Sequence, residues 1–258
     1  MKTLRMFGMA LIAIVLSANF ASCSKEDTPE KGENGIVVGD KKLTRLSITT
    51  DTYVSFTYDD KGRLIKAEEV DGSDYSFTET MIWGDNAVKI STKELYEGKE
   101  YNDNYTLPIV NGLVQSYNFN SSQYTAVYNQ SNRLIEWGKE RDQTIIIWDG
   151  DKLVSATNNA YGYVYDYTLT YEKSCKKGHY PLLSNLTDVG NGSFLYFAHP
   201  ELLGLRTTQL PASVTYTFDN KSPETTSFSY ELDKQGYISK IITKEGNSEP
   251  YTYTLTWE

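Results

Sequence analysis

Cys175 and His179 stand four residues apart, flanked by Lys176 and Lys177, and His199 follows on the same stretch. A thiol beside ammonium groups and an imidazole has the makings of a nucleophile, since positive neighbours favour the thiolate and the imidazole can take its proton. The same three side chains are also soft metal ligands, but the spacing supplies no fourth. No nucleophile or zinc signature surrounds them, so the reading is no catalytic residue, no metal site and no cofactor. Adjacent carboxylates such as Asp59 with Asp60 and Glu68 with Glu69 do not make a glycosidase, which needs two carboxyls held across a cleft. Asp59, Asp149 and Asp151 lie in turn-like strings, where backbone geometry accounts for them without calcium. Aromatics remain. Trp83, Trp137, Trp148, Tyr161, Tyr163 and Tyr165, with His179 and His199, are the candidate ligand-binding residues, because flat amphipathic rings stack on sugars and peptides. The competing reading, favoured for any single ring, is that these side chains fill an interior.

A second cysteine has a different context. Lys2 and Arg5 precede an uncharged run from Met6 to Leu16, too short to span a bilayer, and small residues then lead to Phe20-Ala21-Ser22-Cys23. The pattern is that of a secretory signal over residues 1–22 ending in a lipobox-like tetrapeptide, with Phe20 where an aliphatic residue is usual. It predicts cleavage before Cys23 and acylation of its thiol. Residues 23–35 are polar and charged with no core-forming side chain beyond Cys23, and read as a flexible acidic tether. Loss of Lys2 and Arg5 takes the formal charge from −9 to −11, so the acyl chains rather than charge must hold the protein on a membrane.

The elements that would position the aromatics are strands. Lys+Arg at 25 against Asp+Glu at 34 argues against a nucleic-acid partner. Tyr at 21, with abundant Thr, favours a pleated, half-buried surface. Apolar residues alternate at Val54, Phe56, Tyr58; at Val214, Tyr216, Phe218; and through Tyr161, Tyr163, Tyr165, Tyr167, Leu169 and Tyr171. A repeat joins them. Tyr58-Asp59-Asp60-Lys61-Gly62-Arg63-Leu64 ends one strand, turns, and begins the next. Tyr128 to Leu134, Trp148 to Leu153 and Tyr230 to Ile238 follow the same plan, and Trp83 to Val88 is a worn copy. Units of about twenty residues suit hairpins in series. Residues 172–213 interrupt the array, carry both histidines and Cys175, and contain the one predicted helix within 194–205. Such an interruption is either a lid over an open barrel end or a grafted functional loop.

The string Tyr-Asp-x-x-Gly-Arg-Leu at 58–64 resembles the tyrosine-aspartate (YD) repeats of the Rhs superfamily, in too few units for that family's toxin-enclosing shell. Leu202-Leu203-Gly204-Leu205-Arg206 through Leu210-Pro211, and the ending Leu232 to Ile241, resemble uncharacterised Bacteroidetes surface lipoproteins with a porin-like β-meander domain. The Ser24-Lys25-Glu26-Asp27 start of the tether resembles the acidic export signal of such lipoproteins, which implies the outer membrane with the cell surface as destination, the periplasmic face being the alternative. Lys66, Glu68, Lys89, Lys93, Glu136, Lys139, Lys240 and Lys244 fall in or beside strands, which argues against a lipid-facing barrel.

The expectation is therefore an all-β chain: one domain over 36–258, an antiparallel meander of ten to twelve strands curled into an open, barrel-like sheet, with one short helix in the insertion. Function is expected to be a tethered, non-enzymatic binding module for a polysaccharide or protein. Two other readings are a polysaccharide-acting hydrolase whose carboxylates converge only in the fold, and a purely structural envelope component. The oligomeric state is open.

Overall fold

A computed structural model describes residues 40–119, 122–160, 162–187, 189–190, 193–219 and 221–258. Cys23, the signal and the tether, and also Tyr161, lie outside the described residues.

Among the described residues seventeen strands run in sequence as one antiparallel meander. The first hairpins are β1 (Leu43–Ser47) with β2 (Thr52–Tyr58), β3 (Leu64–Asp71) with β4 (Tyr75–Trp83), and β5 (Ala87–Tyr96) with β6 (Lys99–Val110). Then come β7 (Leu113–Val114), β8 (Ser116–Phe119) and β9 (Ser122–Tyr128), followed by β10 (Leu134–Lys139) with β11 (Asp142–Asp149) and β12 (Lys152–Ala160) with β13 (Tyr163–Ser174). The last are β14 (Gln209–Phe218), β15 (Glu224–Leu232), β16 (Ile238–Glu245) and β17 (Tyr251–Trp257). β1 pairs with β2 on one side and with β17 on the other, placing Leu46 between Val54 and Leu255. The sheet thereby returns on itself as a nearly closed barrel. The antiparallel meander is as expected, while the strand count exceeds ten to twelve and the barrel is more closed than open. The extra strands come from segments without apolar alternation. Lys99 to Asn104 is exposed on both faces, and β7 and β8 are short pieces split at Gln115.

Three turns repeat one hydrogen-bond scheme, which is why Asp, Asn and Gly recur there. The Asp59 carboxylate accepts from the N–H groups of Lys61 and Arg63, while Gly62 sits at φ 74°. Asn129 accepts in the same way from Ser131 and Arg133, with Asn132 at φ 59° in the glycine position. Asp233 accepts from Gln235 and Tyr237, with Gly236 at φ 96°. A short acceptor side chain closes each loop and a left-handed residue lets the chain reverse.

These turns all lie at one end of the barrel, and just inside that end runs a girdle of aromatic donors. Tyr58, Tyr128, Tyr171 and Tyr230 each donate a hydroxyl to a carbonyl of the preceding strand or strand pair, on Leu43, Val114, Leu153 and Pro211. Trp83, Trp148 and Trp257 donate their indole N–H to Leu64, Leu134 and Ile238 at 2.7 Å each. The repeat thus places one polar-tipped ring per hairpin where it can bury its body and still satisfy its donor.

Residues 175–208 fill the barrel. The segment is pinned at its neck by the Cys175 N–H on the Thr208 carbonyl and the Tyr180 N–H on that of Thr207. It holds α1 (Leu183–Leu186), α2 (Leu195–Ala198) and a 3-10 turn, Pro200–Leu203, instead of one helix. Leu183, Leu195, Tyr196, Phe197, Leu202, Leu203 and Leu205 are all buried, and Phe194 packs edge-on against Phe56 and Phe77 of the wall. The interruption is an internal plug, neither a lid across an end nor a loop in solvent. A ring of this many strands leaves a hole that wall side chains alone do not fill, and the plug brings the missing apolar volume.

Candidate functional site

Two places gather polar or aromatic side chains, one at each end of the barrel. At the plugged end, His199 lies under Tyr58 and Trp83 with its rings edge-on to both. Its Nε2 accepts from the Leu64 N–H at 3.1 Å, and its Nδ1–H therefore donates to Glu201 Oε1 at 3.1 Å. His179 donates from Nε2 to the Phe197 carbonyl at 2.7 Å and accepts at Nδ1 from Arg206. Arg206 binds Asp40 at 2.7 Å and approaches Glu201 at 3.9 Å. Burial, with the Arg206 charge beside it, pushes the His179 imidazole down to about 3. Burial acts to raise the Glu201 carboxyl, but the His199 hydrogen bond and Arg206 outweigh it and bring it to about 2. Burial also holds Lys42 below its usual value, against the attraction of Glu201.

The cleft between Asp40, Lys42, His179, Glu201 and Arg206 has room for no more than about one water molecule. Its groups are committed to one another. This network ties the incoming chain at Asp40 to the plug, and burial beside Arg206 keeps its His179 imidazole neutral. Cys175 is buried at the neck of the plug and forms no disulfide. Among those residues no group of three His, Cys, Asp or Glu is disposed to hold a metal.

The girdle accounts for two of the sequence candidates. Trp83 and Trp148 each spend their N–H on a strand carbonyl, and the guanidinium groups of Arg63 and Arg133 lie over their rings at 5.8 and 4.8 Å. Trp137 is 3% exposed and faces the interior opposite Thr144. Trp83 and Trp148 stand at the plugged end, and Trp137 is buried in the wall's inner face.

Tyr163 and Tyr165 stand at the open end. Leu169 and Val214 are opposite one another and buried, so the rows continuing from them face inward: Tyr167, Tyr165 and Tyr163 on β13, Tyr216 and Phe218 on β14. Tyr167 packs against the core, and above it the rings pack on one another. Tyr167 lies 5.5 Å from Tyr216, Tyr216 lies 6.0 Å from Tyr165 in a stacked pair, and Phe218 is 4.9 Å from Tyr165 and 5.5 Å from Tyr163. The result is a continuous strip of five rings climbing the inner wall to the rim, where Tyr163 is 51% exposed. Lys221 places its ammonium 4.2 Å from the Phe218 ring centre. Burial, with Tyr165, Glu224 and Asp219 near it, raises the Tyr216 hydroxyl above its ordinary value. Tyr167 belongs to the alternating Tyr161 to Tyr171 run that the sequence offers as a platform, whereas Tyr216 and Phe218 were absent from the candidates. The sequence signal for them is the pairing of two alternating aromatic runs, and only the β13–β14 register turns it into a surface.

No protein-family profile matches the sequence, and no curated protein matches it. Among solved structures the fold is similar to a porin-like protein from Bacteroides uniformis ATCC 8492, with a TM-score of 0.62 and 15% identity over 85% of this chain and 99% of that one. It is also similar to a porin-like protein from Bacteroides vulgatus ATCC 8482, with a TM-score of 0.57 and 13% identity over 84% of this chain and 99% of that one. At these identities the likeness concerns the fold.

Proposed function

We propose that the chain is an envelope lipoprotein, acylated at Cys23, that displays the open mouth of its plugged barrel as a binding module for a glycan or protein ligand. The observation that carries this reading is the five-ring strip. Partly exposed aromatic rings ranked along an inner wall contribute little to a core already filled from the other end, and they suit stacking of a ligand.

Two further features support it. The chain enters at the plugged end, where Asp40 binds Arg206, the Lys41 N–H reaches the Tyr237 hydroxyl, and Lys42 exchanges backbone hydrogen bonds with Glu258. A tether leaving from that end turns the mouth away from the bilayer. The outer wall also carries ion pairs, Lys66 with Glu68, Lys93 with Glu100 and Lys240 with Glu231, which suit contact with water better than with acyl chains.

The anchor is tested by metabolic labelling with an alkyne fatty acid: label in the wild type and none in Cys23→Ala is expected, and label persisting in Cys23→Ala refutes acylation there. Protease added to intact cells is expected to remove the protein, and protection until permeabilisation assigns it to the periplasmic face. Screening glycan and protein arrays then tests the module, with Tyr165→Ala/Tyr216→Ala expected to weaken any hit by about tenfold. Hits indifferent to that double substitution place the binding surface elsewhere.

A further inference from the structure

The register of the strands sorts the carboxylates of the open half by face. On the outer face Glu68, Glu100 and Glu231 each have a lysine within 2.6–2.9 Å. On the inner face the case is different. Glu94 lies opposite Phe77 in the row that continues from buried Val88 and Ile90. Glu224 lies opposite Tyr216, and Glu245 lies opposite the buried Thr226. All three are half-buried, and none carries an ion pair among the described residues. The lysines of these inner rows are Lys99 at a hairpin tip and Lys139, whose ammonium is engaged by Ser122 and lies over the Tyr124 ring. Glu224 and Glu245 sit on adjacent strands and Glu94 farther round the wall, and like charges on one concave, partly dry surface raise the energy of the free protein. A cationic partner removes that cost.

This deepens the binding-module reading and rests on it. We infer that the mouth takes a Lys- and Arg-rich polypeptide segment, laid on the strip of tyrosine rings with its cationic groups against Glu94, Glu224 and Glu245. An extended peptide supplies spaced positive charges for carboxylates on separate strands, and its ammonium and guanidinium groups also seat on aromatic faces. The chain's own Lys221 already sits on Phe218 in that manner. A neutral glycan would stack on the rings but leave the carboxylates unmatched.

The probe is fluorescein-labelled octalysine, titrated into the full-length mature protein at two salt concentrations. Binding that weakens with salt is expected. Glu94→Gln/Glu224→Gln/Glu245→Gln should weaken it by about tenfold or more, whereas Glu68→Gln/Glu100→Gln/Glu231→Gln, with the same change in net charge, should stay within about threefold. Equal losses in the two triple variants mean attraction to a generally acidic protein and overturn the inference, as does an absence of octalysine binding. If the inner triple variant melts early, Glu224→Gln and Glu245→Gln are measured singly, and an unchanged affinity in both is equally fatal. A neutral glycan that binds through Tyr165 and Tyr216 while octalysine does not refutes the cationic ligand but leaves the binding module standing. Loss of both refutes the two together.

Discussion

His179 and His199 are the residues most suggestive of chemistry, and their hydrogen bonds show a structural office instead. His199 bridges the Leu64 N–H and the Glu201 carboxylate, while His179 donates to the Phe197 carbonyl and accepts from Arg206, which holds it in a single neutral tautomer. Protonating His179 would set a second charge against Arg206 in a buried place. Its imidazole titrates near 6.5 when unfolded and about 3 when folded, so below pH 6.5 the unfolded chain binds a proton that the native chain refuses. Stability should therefore fall as pH drops through the window from 6.5 to 3. Glu201, brought from 4.5 to about 2, adds a loss of the same sign below pH 4.5. Thermal melts from pH 7.5 to 4 are expected to show a falling midpoint, with a shallower fall between pH 6.5 and 4.5 in His179→Gln. An equal slope in the variant would mean that other groups govern acid sensitivity. Arg206→Met removes the cation facing Asp40, His179 and Glu201 at once, and urea unfolding should register a loss of about 1–3 kcal/mol, the range for a partly buried charged partner removed.

The element that recurs is a hairpin with an aromatic donor near its end. The ring packs inside while its N–H or O–H binds a carbonyl across the strands, so the donor matters separately from the volume. Trp148→Phe keeps most of the packing and drops the 2.7 Å bond to Leu134, for an expected cost of about 1 kcal/mol in chemical denaturation. A cost near zero would make the girdle a matter of shape alone. Glycine is demanded more sharply in β10. Gly138 has φ 140°, and a Cβ there would lie 2.2 Å from the Asp142 carbonyl oxygen, a backbone atom that cannot swing away. Gly138→Ala should lower stability by about 3 kcal/mol or more, or prevent accumulation of folded protein. Turn residues, period and aromatic spacing at this scale were all legible in the chain: Asp59, Asn129 and Asp233 were read as turn-formers and serve as such. The strand Lys99 to Val110 was not, because its first half has water on both faces and hence no alternation to read.

For the whole molecule the decisive feature is the plug. It places Tyr180, Tyr196 and Phe197 among the most deeply buried side chains and anchors itself to the wall through Glu79, whose carboxylate accepts from the Ser193 hydroxyl and the Phe194 N–H. Buried polar groups matched in this way unfold with their surroundings. Hydrogen exchange is expected to show amides of residues 195–205 as protected as those of β16 and β17. Fast exchange in the plug with slow exchange in the wall would mean that the two open independently.

The amino-acid sequence by itself determined the class of the fold, since period-two alternation and hairpin chemistry are local and need no partner to be recognised. It also supplied the aromatic residues without saying which were free. Tertiary structure decided that. Trp83, Trp137 and Trp148 are aromatic as Tyr163 and Tyr165 are, yet Trp83 and Trp148 stand in the girdle at the plugged end, Trp137 is buried, and Tyr163 is half exposed at the open mouth. That difference depends on where residues 175–208 settle, on closure between strands at opposite ends of the chain, and on a register that sends Glu94, Glu224 and Glu245 inward and their neighbours out. Contacts of such long range leave no local periodicity to read, because what sets them is the volume left to be filled once the barrel has closed.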